Sequence, residues 1–342
     1  MLLRQLTDLN GISGAEGPVR DFLKEQAAPL ADKLYVDSAG NLIAFKKGTA
    51  SKQPERPVMV AAHMDEVGFI VRSIGDNGRI RFVNVGGIDF RILPGQHVTV
   101  EGNPGVIGLK PIHMQSAEDR RKAVTAEELY VDCGFADADE AAAAGVEIGS
   151  YIAFTNNYLE LGEGCIEAKA LDDRVGCDIM LRLLEGNYKS DIYFVFSTKE
   201  EIGGDGAGVA ARALNPRACL VLEGTTCSDV PEVSAWKKST LLGQGPAITQ
   251  MDLRMIANHK LNDFIIRTAE EHDLQYQFKT TVSGGTDGGK IHTIGTGIAT
   301  SVISVPTRYI HSPVSVAKVS DIQATEALAK QVLLRIHEFE RG

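Results

Sequence analysis

Eight acidic and imidazole side chains stand at the ends of apolar segments, far apart in the chain. VMVAAHMDE carries His63 and Asp65, YFVFSTKEE carries Glu200 and Glu201, CLVLE ends in Glu223, and SVISVPTRYIH runs into His311. ALDDR adds Asp172 and Asp173 at the mouth of a helix. Two imidazoles among several carboxylates suit divalent, zinc-like ions. His63 and Asp65 are two residues apart, which on an extended strand puts both on one face. An Asp so placed can accept the other ring N–H of a ligating His and fix its tautomer. A carboxylate with both oxygens free, such as Asp172, can bridge two cations. One of Glu200 and Glu201, if it does not ligate, can act as general base for a water held between two metals about 3.5–4 Å apart. Each signal has a plainer reading alone: a packed His, an Asp pair capping a helix, a solvated Glu pair. Their recurrence at strand ends is what makes the set informative.

The elements that must position these residues form an open α/β sheet, in which ligands bind beyond the carboxyl ends of the strands. The continuous apolar runs VMVAAH (58–63), DIYFVFS (191–197), ACLVLE (218–223) and TSVISV (300–305) suit strands buried on both faces. Helices are predicted over Asp173–Leu184, 207–214 and 261–272, with an amphipathic helix closing the chain. Leu2, Leu3, Leu6 and Leu9 predict an opening helix. Ser13-Gly-Ala-Glu16 resembles a capping box before VRDFLKEQAAPL. LYVDSAGNLIAFKKG reads as a hairpin. From Gly68 the texture changes to short alternating segments, FIVRSI, RIRFVNV, HVTVEG, GVIGLK and YIAFTNNYLEL, separated by glycine-rich turns. That spacing suggests a small barrel or sandwich. The expected organisation is an α/β domain built from 1–67 and 164–342, interrupted by a β-rich insertion over 68–163.

Composition narrows the partners. The 342 residues are enough for about two domains. With 35 Lys+Arg against 45 Asp+Glu, the net charge of −10 argues against nucleic acid and anionic membrane surfaces. Residues 118–147 hold nine acids against three bases, read first as a solvated face. No apolar run is long enough to span a bilayer, and the first residues lack a secretory signal pattern. Five cysteines without a CxxC pair fit a reducing, cytoplasmic setting.

Taken together, AAHMDEVGF, ALDDRVGC, STKEEIGGDGA, LEGTT, SGGTDGG and VPTRYIHSP resemble, in order and spacing, the M42 metallo-aminopeptidases, also called glutamyl aminopeptidase-like or tetrahedral aminopeptidases. The resemblance covers nearly the whole chain, including GGIDFRILPGQHV and the HMQSAEDRRK…ELYVDCG block of the insertion. It implies an α/β, phosphorylase/hydrolase-like metallopeptidase domain with an inserted small β-barrel domain that mediates dimer contacts. It further implies a homo-oligomer, with dimers assembling into a tetrahedral dodecamer. His63 then resembles the ligand of one metal, with Asp65 orienting it. Asp172 resembles the bridging carboxylate, across a cis Asp172–Asp173 peptide. Glu201 and His311 take ligand positions on the second metal, Glu223 one on the His63 metal, and Glu200 the general-base position. Many members carry Asp where this chain has Glu223, one methylene longer. The implied cofactors are two divalent ions per subunit, Zn first, with Co or Mn as alternatives. The implied reaction removes N-terminal residues from short peptides.

The same resemblance puts the glycine-rich Gly284–Gly289 loop beside the substrate, with Asp287 or Thr286 touching its amine or backbone. Asp252 is a similar candidate. The acidic 118–147 stretch gains a second reading, as a loop facing a channel or neighbouring subunit. His113, from the insertion, is a candidate for reaching a neighbour's site. Two other reactions share parts of this chemistry. One is a metal-dependent deacylase or other amidohydrolase, and the other is a carboxylate-based glycosidase. The second leaves His63 and His311 without a role.

Overall fold

The computed structural model describes residues 2–52, 54 and 56–340. Helices α1 (Leu3–Asp8) and α2 (Gly17–Ala27) open the chain and bury Leu3, Leu6, Val19 and Leu23. Strands β1 (Lys33–Val36) and β2 (Leu42–Lys46) form the expected hairpin. Its turn is held by Asp37, which accepts the amides of Ala39 and Asn41 at 2.9 and 3.0 Å. Strand β3 (Val58–His63) follows and is buried throughout.

Strands β4 (Gly68–Ile74), β5 (Ile80–Val85), β6 (His97–Val100), β7 (Asn103–Gly108), β8 (Tyr130–Asp132) and β9 (Tyr151–Phe154) close into a barrel of order β4-β5-β8-β7-β6-β9. Alternation along each strand turns one residue set inward, and Phe69, Phe82 and Phe154 meet there with ring centroids 4.7 and 5.4 Å apart. Helix α3 (Ala138–Ala143) is packed on the barrel through Ala141. Several acids of the 118–147 stretch serve local caps. Asp137 accepts the Glu140 amide at 2.9 Å, and Glu128 with Thr125 completes a capping box.

The chain then returns with β10 (Leu159–Leu161), β11 (Cys165–Ala168), α4 (Leu171–Leu184), β12 (Ile192–Ser197), α5 (Asp205–Leu214) and β13 (Ala218–Thr226). After these come β14 (Ala247–Thr249), α6 (His259–Glu271), β15 (Gln277–Lys279), α7 (Gly288–Ile291), β16 (Ala299–Arg308), β17 (Ser315–Lys318) and α8 (Val319–Arg335). The main sheet runs β1-β2-β12-β3-β13-β16-β17-β11-β10, with β14 on β16 and β15 on β14. Its centre, β12-β3-β13-β16, is parallel. Val58, Val60 and Ala62 pack into one apolar layer, Met59 and Ala61 into another. Both faces are covered, which is why these strands read as unbroken apolar runs. None of the described helices is long and apolar enough to cross a membrane.

Two local expectations are corrected. Leu159–Leu161, expected to end the insertion, pairs with β11 in the main sheet, so the barrel's last strand ends at Phe154. The Ser13–Glu16 capping box does not form. Glu16 precedes α2 without a side-chain cap, and the Ser13 hydroxyl is drawn to Asp65 instead.

Candidate metal centre

Parallel strands end at the same edge of a sheet, and register decides what meets there. Ser197 of β12 lies opposite His63 of β3, so Glu200 and Glu201 follow just beyond that edge. Glu223 of β13 lies opposite Ser304 of β16, and His311 follows β16. Asp172 and Asp173 stand at the mouth of α4 with non-helical backbone, so regular turns begin at Arg174. The Asp172–Asp173 peptide is cis. A Cβ on Gly224 would lie 3.0 Å from the Asp172 Cα, so glycine there lets β13 approach this corner. Ala170, Lys199, Tyr309 and His311 all have φ between 54° and 62°, a costly region for side-chain-bearing residues. These four flank the converging residues.

His63 Nε2 faces Asp172 Oδ1 at 3.2 Å and Glu223 Oε2 at 3.4 Å. His311 Nε2 faces Glu201 Oε2 at 3.2 Å and Asp172 Oδ2 at 3.7 Å. Asp172 therefore turns one oxygen toward each imidazole. Both rings are oriented from behind by backbone carbonyls. His63 Nδ1 lies 3.1 Å from the Asp65 carbonyl, and His311 Nδ1 2.8 Å from the Gly87 carbonyl. A carbonyl only accepts, so each neutral ring carries its proton on Nδ1 and leaves the Nε2 lone pair facing the carboxylates.

Asp65 lies beyond the end of β3 and is fully buried. Its carboxylate accepts the Ser13 hydroxyl at 2.5 Å and the amides of Glu200 and Glu201 at 3.0 and 3.1 Å. It also lies 3.4 Å from His63 Nδ1. Asp65 thus ties the His63 strand end to the loop that carries both glutamates.

The donor set fits divalent ions. One ligand atom each from His63, Asp172 and Glu201 lies within 4.8 Å of the others, and so does one from each of His63, Asp173 and Glu223. Asp173 is the weaker member, because its oxygens already accept the amides of His63 and Gly176 at 3.2 and 3.0 Å. Glu223 Oε1 is buried without a partner, which a cation would supply. Burial pushes Glu201 up to about 8, and burial together with Glu223 pushes Glu200 well above the carboxylate range. Burial would lower both imidazoles, but the surrounding carboxylates more than offset it and bring His311 up to about 9. Crowding out of water raises the proton affinity of Glu200, Glu201 and Glu223. Divalent ions discharge the same repulsion.

A cleft of about 330 Å³ opens over Asp172, Glu200, Glu201, Glu223 and His311. Of the expected substrate residues, Thr286 lines it. Asp252 and Asp287 are buried behind its wall and not on its surface. Asp252 accepts the amides of Arg254 and Met255, and Asp287 takes the Ser197 hydroxyl. His113 is exposed in a turn at Ile112–Met114 and does not line this cleft.

Five features escaped the sequence reading. Ser13 and the Gly87 carbonyl orient site residues from the N-terminal loop and from the barrel side. Arg254 and Lys279 line the cleft. Behind the site, buried Glu66 binds Lys169 Nζ at 2.7 Å and Arg174 Nη2 at 3.3 Å, and accepts the Gly11 amide at 2.9 Å. Nothing in the sequence marks these charges as buried.

Residues 40–328 match the family model of the M42 glutamyl aminopeptidases. The chain belongs to the M42 peptidase family. As an M42 chain it is an aminopeptidase-class hydrolase acting on peptides, in a metal-dependent family. It is similar to an aminopeptidase of the archaeon Desulfurococcus kamchatkensis, with a TM-score of 0.93 and 36% identity over 98% of this chain and 94% of that one. It is also similar to the TET1 peptidase of Pyrococcus horikoshii, which can assemble into a tetrahedron or a large octahedral shell. That likeness has a TM-score of 0.85 and 29% identity over 97% of this chain and 98% of that one. A third similar structure is an endoglucanase of Thermotoga maritima, with a TM-score of 0.81 and 39% identity over 97% of this chain and 96% of the other.

Proposed function

We propose that this M42 peptidase is a dinuclear metal-dependent aminopeptidase that removes N-terminal residues from short peptides. The observation that carries the reading is Asp172, with one oxygen toward each of two imidazoles. His63, Glu223 and Asp172 would hold one ion, and His311, Glu201 and Asp172 the other. Zn suits this nitrogen and oxygen donor set, and Co and Mn can use it as well. When bound, the ions supply Lewis acidity to the scissile carbonyl and lower the pKa of water.

Glu200 lines the cleft and lies outside both donor sets. It takes a proton from the attacking water and returns it to the leaving amine. Its burial raises its affinity for a proton, and cations held by the neighbouring ligands would keep it ionised and able to accept one. Asp65 positions Glu200 through the loop amides and His63 through the ring. Thr286 contacts the peptide, while Asp252 and Asp287 shape the loops from behind.

The test is Glu200→Gln. Turnover of an aminoacyl p-nitroanilide is expected to fall roughly 10²–10⁴-fold, while metal content by mass spectrometry stays at wild-type level. Full turnover removes Glu200 from the chemistry, and loss of metal makes it a ligand. A deacylase would cleave N-acetylated peptides that an aminopeptidase rejects. The likeness to the T. maritima endoglucanase favours a glycosidase as the second reading. Chelator-insensitive cleavage of a glucan would establish that reading, but it leaves two carbonyl-oriented imidazoles without a role.

The same reading includes a homo-oligomer of tetrahedral, twelve-chain form, with the barrel region at dimer contacts and His113 at a neighbour's site. The likeness to P. horikoshii TET1, a dodecamer in one structure, supports it. A cytoplasmic address fits the five cysteines, all free thiols.

A further inference from the structure

We propose that Lys169 and Arg174 are positioning residues for the metal centre. With Glu66 they clamp the chain corner that carries Asp172 onto the end of α1 and the exit of β3. This rests on the dinuclear reading of Asp172 and adds residues outside both proposed donor sets.

The two cations bracket the corner. Lys169 lies three residues before Asp172, and Arg174 two after it. Between them Ala170 holds a φ of 54°, and Asp172 and Asp173 depart from helical backbone. A side-chain-bearing residue persists in that left-handed region only where its surroundings over-determine it. Both cations grip the same two acceptors. Lys169 Nζ donates to Glu66 Oε1 and Oε2 at 2.7 and 2.8 Å, and to the Leu9 carbonyl at 3.0 Å. Arg174 donates from Nη2 to Glu66 Oε1 at 3.3 Å and from Nη1 to the Leu9 carbonyl at 3.1 Å. Arg174 Nη1 also reaches the Leu6 carbonyl. Its Nε donates to the carbonyl of Met64, the residue after His63, at 2.9 Å. The Lys169 amide donates to Asn156 Oδ1 at 3.2 Å, and Asn156 donates in turn to Asp8 at 2.5 Å. A Cβ on Gly11 would lie 2.9 Å from Arg174 Nη2, so glycine there admits the guanidinium.

Glu66, Lys169 and Arg174 are all buried. A buried cation is costly unless it is paired and hydrogen-bonded, and one carboxylate cannot complete two of them. The carbonyls at the end of α1 lack intrahelical donors and supply the missing acceptors. The corner and the N-terminal helix thus complete each other. This network abuts the centre. A cavity of about 10 Å³ is lined by Glu66 and Lys169 together with Asp172, Glu201 and His311. That space holds at most about one water, so no larger ligand fits there. The network acts on the centre through the chain it holds.

Lys169→Met keeps the length of the stem and leaves Glu66 and Arg174 as a balanced pair, so the variant is expected to fold. Metal affinity by titration and kcat on an aminoacyl p-nitroanilide should each fall roughly 10–100-fold, with KM little changed. In cobalt-loaded protein, magnetic coupling of the two ions across Asp172, read by electron paramagnetic resonance, should weaken. Lys169→Gln keeps a donor for Glu66 and should recover part of each loss. Leu333→Ala, at a buried α8 residue outside the network, shows what lost stability alone does. Wild-type affinity and coupling in Lys169→Met overturn the clamp, as do losses no larger than those of Leu333→Ala at an equal fall in melting temperature. If Lys169→Met does not fold, Lys169→Gln takes the same tests with the same reading. If the wild type binds metal and cleaves no aminoacyl substrate, the aminopeptidase reading fails, while affinity and coupling still decide the clamp. If the wild type holds fewer than two ions, the dinuclear reading fails, and hydrogen exchange at the Asp172–Arg174 amides decides. Faster exchange in Lys169→Met supports the clamp, and unchanged exchange overturns it.

Discussion

Ser13 donates to a carboxylate that must stay ionised in a fully buried position. Burial alone would raise the Asp65 pKa. The His63 ring and the Ser13 hydroxyl reverse that, and the carboxyl is held below its ordinary value. A hydrogen bond to a buried charged group contributes roughly 1.5–3 kcal/mol. Ser13→Ala is therefore expected to lower the melting temperature and weaken metal binding, since Asp65 also fixes the Glu201 amide. Ser13→Thr keeps a hydroxyl and should recover part of both. Thermal scans with and without chelator, together with a metal titration, check this. Wild-type melting and metal affinity in the Ala variant would remove Ser13 from the site. The sequence pattern pointed Ser13 toward a local cap, because Glu16 follows three residues later. The nearer, charged acceptor came from residues fifty positions away and took the hydroxyl.

At the scale of elements, the proposed ligands are only as well placed as the strand exits that carry them. Arg308 closes β16, three residues before His311, and both Nε and Nη2 bind Asp229, at 2.5 and 2.7 Å. Asp229 also accepts the Leu242 amide at 3.2 Å. Burial would raise the Asp229 carboxyl, but Arg308 outweighs it and brings it from 3.8 to about 2. A depressed carboxylate pKa stabilises the fold above the unfolded value, and that stability is lost as pH falls through the folded value. Asp229→Asn should cost about 2 kcal/mol at neutral pH. The gap to wild type should close between about pH 4 and pH 2, as denaturant melts across that range would read. A constant gap would mean that the pair contributes through packing alone. The parallel strands were legible because two covered faces demand unbroken apolar runs, and the barrel was legible because its strands cover one face. The exit of the barrel was not, because Leu159–Leu161 alternates in the same way in either sheet. Glu66, Lys169 and Arg174 look solvated as letters, and only the fold brings them together in the dry interior.

At the scale of the whole molecule, the barrel and the α/β domain share the centre. The Gly87 carbonyl, just after β5, orients His311, so the barrel region helps place a proposed ligand that follows a strand of the main sheet. The outer surface carries a second message. Met251 and Ile256 pair across the turn that Asp252 closes, and Leu253 and Ile256 are 70% and 72% exposed on it. Exposed apolar side chains clustered on one turn with a buried anchor are the kind of patch that marks an interaction site. The proposed assembly offers them a covering surface on another copy of the chain. The double variant Leu253→Asp with Ile256→Asp places charge on that turn without touching its anchor. Sedimentation is expected to show a particle smaller than the wild-type assembly, with an unchanged far-ultraviolet spectrum. A wild-type-sized particle would take this turn out of the interface. Its apolar tip would then belong to the cleft mouth, where Arg254 from the same turn already stands.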